Sequence, residues 1–166
     1  MVPIALGAVL LLAAVALTLA LSGGGTRHKA AAPPAPQPSR PAGALARYRA
    51  AAVRASNRFK NSAQVASARV KAARTASAKI AALEQLKATL LRAAGDFGRL
   101  NPPARLKHDN AELVAELKTL AGIVGQAQRA TRHKDTAAGY DVAARATAAQ
   151  ARIQATIARL QSKIGP

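Results

Sequence analysis

The chain of 166 residues contains no cysteine and no tryptophan. The first absence excludes a disulfide framework, a thiolate metal site and a cysteine nucleophile. Aromatic residues are scarce: Tyr48, Phe59, Phe97 and Tyr140. The apolar remainder is Ala, Leu, Ile and Val, which suits close helix packing. Strands favour β-branched and aromatic residues, so no β-structure is expected. Acidic residues are absent before Glu84, where twelve Lys and Arg already stand. The remaining stretch carries thirteen bases and all seven acids, for a net charge of +18. The amino-terminal half is therefore uniformly cationic. Such a field promotes contact with nucleic acid, phospholipid or acidic wall polymer. The competing explanation is that Arg only solubilises alanine-rich helices.

Long apolar runs are limited to one. Val2 to Leu21 is twenty residues without charge, and Thr18 is the only polar side chain in it. At about 1.5 Å rise per residue it spans about 30 Å, a bilayer's hydrocarbon thickness. A signal-peptide core is shorter, about 7–15 residues. Residues 1–22 therefore read as a transmembrane anchor or uncleaved signal. Ala20-Leu21-Ser22 also offers small residues for cleavage before Gly23, which would give a secreted product. Two effects on orientation oppose each other. Arg27, His28 and Lys29 after the run favour a cytoplasmic carboxyl side. A signal-like start and a proline-rich spacer favour export, which is the expectation taken here: a single-pass cell-membrane protein with its bulk outside the cytoplasm.

Residues 23–43 read as that spacer. Gly23-Gly24-Gly25 ends the apolar run, and Pro33, Pro34, Pro36, Pro38 and Pro41 bias the chain to polyproline II. Residues 44–166 read as a basic helical bundle. Apolar and small residues from Leu45 through Tyr48, Phe59, Val70, Ile80, Leu83 and Leu90 to Phe97 fall at steps of about three and four, a helical stripe. The stripe drifts between Val70 and Ile80. Either one long helix supercoils or the chain turns back near Thr75–Ala78, with Thr75 or Ser77 as cap. The turn is favoured, because an unbroken helix would leave Tyr48, Phe59 and Val70 uncovered. Asn101-Pro102-Pro103 is a stop and restart, with Asn101 as N-cap and Pro102 in the first helical position. The next stripe runs Leu106, Asn110, Leu113, Leu117, Leu120, Val124, Ala127. Gly122 and Gly125 on that helix are expected to permit close helix approach. Asp135 caps a last helix striped by Val142, Ala146, Ala149, Ile153, Ile157, Leu160 and Ile164. The fold class is all-α: an antiparallel three- or four-helix bundle.

Leu100-Asn101-Pro102-Pro103, with His108 and then Leu113-Val114, resembles a pattern in uncharacterised helical-bundle proteins of high-GC Gram-positive bacteria that carry a signal or anchor segment. The resemblance covers roughly Ala44 to Ile164 in layout. It implies export and carries no assigned activity or site residues.

Catalytic and metal constellations are not suggested. His28 and His133 stand apart from any cluster. Asp109, Glu112 and Glu116 form one acidic face, with His108 the i, i+4 neighbour of Glu112. These four could make half a metal site, but a bundle di-metal centre needs Glu-x-x-His pairs from other helices, and none occurs. That face is read as exposed and paired with Arg105 and with bases on neighbouring helices. No Gly-x-Ser-x-Gly elbow or phosphate loop is present. No cofactor is implied. The first helical region does carry two basic sets, Arg47, Arg54, Arg58 and Arg69 on one face, Arg49, Lys60 and Lys71 on another. Arg27 and Lys29, together with Arg47, Arg49, Arg54, Arg58 and Lys60 from these sets, are the candidate polyanion-binding residues. The expected function is that of a non-enzymatic, membrane-anchored envelope protein touching anionic lipid or wall polymer. The alternative is a cytoplasm-facing protein that binds nucleic acid without sequence preference. Homo-oligomerisation is left open.

Overall fold

The computed structural model describes residues 40–165, with side chains from Gly43 onward. The expected anchor (1–22), most of the spacer (23–43), and Arg27 and Lys29 lie outside the described residues. Among the described residues there are four helices: α1 (Arg40–Ala72), α2 (Ala76–Gly98), α3 (Lys107–His133) and α4 (Thr136–Ile164). A 3-10 turn, Ala104–Leu106, precedes α3. No strand occurs among the described residues, and none of their helices is long and apolar enough to cross a membrane.

Local chemistry explains most of the boundaries. α1 starts at Arg40, earlier than expected, with Pro41 in its first turn. Proline is tolerated there because a first-turn N–H has no intrahelical acceptor. The chain does turn back at Thr75. Its backbone is extended (φ −109°, ψ 157°), and its hydroxyl accepts from the Ala78 N–H at 3.2 Å. Asp135 caps α4 in the same way, accepting from the Ala138 N–H at 2.9 Å. Lys134, just before it, closes α3 in the left-handed region at φ 56°.

The Pro-Pro turn differs from expectation. Asn101 and Pro102 do not open a helix. Pro103 stands at φ −54°, ψ 154° ahead of the 3-10 turn, and α3 begins only at Lys107. A proline disfavours the helical conformation in the residue before it. Pro103 thus keeps Pro102 out of a helix that Pro102 alone would have opened. Gly122 also departs from its expected role. A Cβ there would meet nothing, and one at Gly125 would meet only the Lys87 stem at 3.8 Å or more. Neither glycine marks a close backbone approach.

The helices pair in chain order, α1 on α2, α2 on α3 and α3 on α4. Each pair is antiparallel, because moving forward along one helix moves the partner backward along the next. Arg58 meets Asp96 and Arg69 meets Gln85. Asn110 meets Phe97 and Gln128 meets Ile80. Glu116 meets Arg152 and Asp109 meets Lys163. One apolar core fills the space between. Tyr48, Phe59 and Val70 are covered, as are Leu83, Leu90, Leu106, Leu117 and Val124.

One end of the bundle is held by polar groups inside that core. Asn110 is 5% exposed. Its Oδ1 accepts from the Tyr48 hydroxyl on α1 at 3.0 Å, and its Nδ2 donates to the Phe97 carbonyl on α2 at 3.1 Å. That carbonyl belongs to the last turn of α2, where helix carbonyls lose their intrahelical donors. The adjoining Asp109 is 2% exposed and reaches α4 instead. Two consecutive residues of α3 therefore tie it to all three other helices.

Candidate functional site: the cationic face of α1

α1 contains no acidic residue in its 33 positions. Its buried seam runs from Tyr48 to Val70, and the two basic sets flank that seam as helical spacing dictates. Arg47, Arg54, Arg58 and Arg69 are exposed, while Arg49 and Lys60 are half-buried. Half-burial fits long side chains that lay their stems on apolar surface and keep their charge in water. Within the first set the roles separate. Arg58 donates through Nε and Nη2 to Asp96 Oδ2 at 3.2 Å, and Arg69 donates to Gln85 Oε1 at 2.6 Å. Both are turned towards α2. Arg47 and Arg54 make no ion pair or side-chain hydrogen bond among the described residues, and neither does Lys60. The structure places the α1 members of the candidate set on one helix but divides them between solvent and an inter-helix seam.

The acids lie elsewhere and are mostly engaged. On the α3–α4 seam Glu116 pairs with Arg152 at 3.1 Å. Glu112 pairs with Arg159, and Asp109 with Lys163 at 2.6 Å and Arg159 at 3.6 Å. The face expected to be exposed is thus partly buried. Its partners are bases of the neighbouring helix α4, as expected, while Arg105 makes no such pair among the described residues. Asp109 sits one position from the apolar stripe, so packing α4 against that stripe encloses it. The hydrogen bond from Lys163 holds the Asp109 carboxyl below its ordinary range, with the charges of Lys163, Arg159 and His108 adding to it against the effect of burial. Glu112 is lowered chiefly by its hydrogen bond from Arg159. Tyr48 moves the other way, pushed up to about 12 by burial and then by the negative charge of Asp109. Among the described residues no three His, Asp or Glu side chains gather as metal ligands.

A groove between α1 and α2 escaped the sequence reading. Its lining includes Arg58 from α1, and Arg92, Asp96 and Arg99 around the end of α2. Asp96 is 13% exposed and takes Arg58 on one oxygen and Arg99 on the other. The Asp96–Arg99 pair was visible as i, i+3 neighbours; the approach of Arg58 depends on the register of two helices.

No protein family model, curated protein or solved structure matches the chain.

Proposed function

We propose that this is a non-enzymatic, membrane-anchored envelope protein whose basic bundle contacts anionic lipid or wall polymer. The observation that carries the reading is the acid-free first helix, with Arg47, Arg54 and Lys60 unpaired among the described residues while the acids of α3 are taken up by α4. Charge left unpaired on both flanks of the buried seam acts outward on a polyanion. The run Val2–Leu21 supplies the anchor in this reading, and the layout shared with signal-bearing bundle proteins supports export. Arg27 and Lys29 lie next to the membrane, where each basic residue adds about 1 kcal/mol of attraction to an anionic leaflet.

The test uses full-length protein held in phosphatidylcholine nanodiscs. It should capture vesicles containing phosphatidylglycerol and not vesicles of phosphatidylcholine alone. Capture should weaken as salt is raised. Arg47→Glu with Arg54→Glu and Lys60→Glu should abolish it. Capture that is unchanged by this triple reversal ends the proposal.

A further inference from the structure

The groove between α1 and α2 encloses about 580 Å³ and lies open on one side. Phe59 and Ala93, both buried, form its apolar floor. Arg58, Arg92 and Arg99 stand around it with a single carboxylate, Asp96. One negative charge faces three positive ones, so the groove keeps an excess of two. The guanidinium groups are also not used up. Arg58 spends Nε and Nη2 on Asp96 and retains Nη1. Arg99 spends Nη2 and retains Nε and Nη1. Arg92 has no partner among the described residues. Asp96 holds two of the three cations at the groove wall, so that those two are ordered before a ligand arrives.

We infer that this groove binds the phosphate group of a glycerophosphate, free or as a lipid headgroup. The inference deepens the polyanion reading above and rests on it. Planar guanidinium forks match phosphate oxygens, and three forks suit a tetrahedral anion better than a flat carboxylate. The space exceeds that of a bare phosphate ion. Asn61 and Ser62 on the rim supply neutral donors and acceptors for the hydroxyls of a glycerol unit. Past Arg92 the groove continues to Ala88 and Val65, and Val65 is 51% exposed. Asn61, Gln85 and Thr89 also line that end, so it is of mixed polarity and suits the polar glycerol portion of a headgroup.

Full-length protein in maltoside detergent at low salt should be titrated calorimetrically with glycerol 3-phosphate and with inorganic phosphate. One saturable site is expected for the ester. Arg92→Gln, which leaves the Asp96 pairs intact, should weaken it about tenfold, the cost of losing a charge-assisted contact. Lys118→Gln, an exposed α3 residue, removes the same charge from elsewhere and should change affinity less than twofold. Binding by the ester alone, together with a loss of phosphatidylglycerol capture in Arg92→Gln, identifies the headgroup as the source. Binding by the ester alone, with phosphatidylglycerol capture kept in Arg92→Gln, identifies the free ester. Equal binding of inorganic phosphate overturns the glycerophosphate assignment. No saturable binding, or equal weakening by Arg92→Gln and Lys118→Gln, overturns the inference. Vesicle capture that persists in that case, and is still lost on triple reversal in α1, leaves the broader proposal standing.

Discussion

Alkaline titration of Tyr48 tests the polar end of the bundle directly. In the folded protein its phenol is pushed up to about 12, from an ordinary value near 10. The folded state therefore holds the proton more tightly than the unfolded state. The associated stability is complete below about pH 10 and is lost as pH rises towards about 12. Two pK units are worth about 2.7 kcal/mol at full strength, and solvent screening at a bundle end reduces this to about 1–2 kcal/mol. The chain has two tyrosines and no tryptophan. Tyr140→Phe thus leaves Tyr48 as the only phenolate absorber near 295 nm. Its midpoint should lie close to 12. Denaturant unfolding followed by circular dichroism should give the energetic half of the test. Lysines titrate in the same window, so the comparison is with Tyr48→Phe, in which lysine effects persist and the phenol is gone. At neutral pH that variant should lose about 1–3 kcal/mol, because buried Asn110 Oδ1 loses its donor. Between pH 9.5 and 12 it should lose less further stability than the parent by about 1–2 kcal/mol. A Tyr48 midpoint near 10, or equal losses in the two proteins, would refute the placement of Tyr48 against Asn110 and Asp109.

Three further outcomes follow from the same geometry. Asp109→Asn should destabilise by about 1–3 kcal/mol, since the buried carboxylate binds two cations of α4. Because the Asp109 carboxyl is lowered in the folded state, its contribution is full above the ordinary carboxylate range and is lost as pH falls through and below it; acid denaturation of parent and variant should converge there. Thr75→Ala should cost about 1 kcal/mol by chemical denaturation, the usual value of an N-cap. Lys134→Gly should instead raise the melting temperature, by relieving a left-handed φ of 56° that costs a side-chain residue about 1–2 kcal/mol, partly offset by glycine's extra chain entropy of about 0.5–1 kcal/mol.

Helix positions were legible because they follow from spacing. The stripe from Leu113 to Ala127 and that from Val142 to Ile164 are buried as their periodicity requires. Thr75 and Asp135 were legible because a cap depends on only a few adjacent residues. Two local readings failed where prolines interact with neighbours: Pro41 joins α1, and Pro103 denies a helix to Pro102. The acidic face was misjudged because its exposure depends on where α4 docks. Asn110 did carry a signal. A polar side chain inside an apolar stripe needs a partner when buried, and Tyr48 supplies it from 62 residues away. Nothing in the spacing of Arg58 indicated Asp96, since that meeting depends on the register between α1 and α2. The candidate face on α1 was thus readable as a set of residues, and its division into paired and unpaired members was not.

Because the main helix contacts are between chain neighbours, assembly depends little on distant segments, the Tyr48–Asn110 bond being the exception. Topologies of this kind fold quickly. A chain emerging amino end first presents the Tyr48–Val70 seam before its cover exists, and α2 closes over it as soon as Gly98 is clear. The hairpin so formed still shows Leu83 and Leu90 to one side until α3 arrives. The time between those two events is when an unfinished molecule is stickiest, and pausing synthesis within the Asn101–Leu106 connection would prolong it.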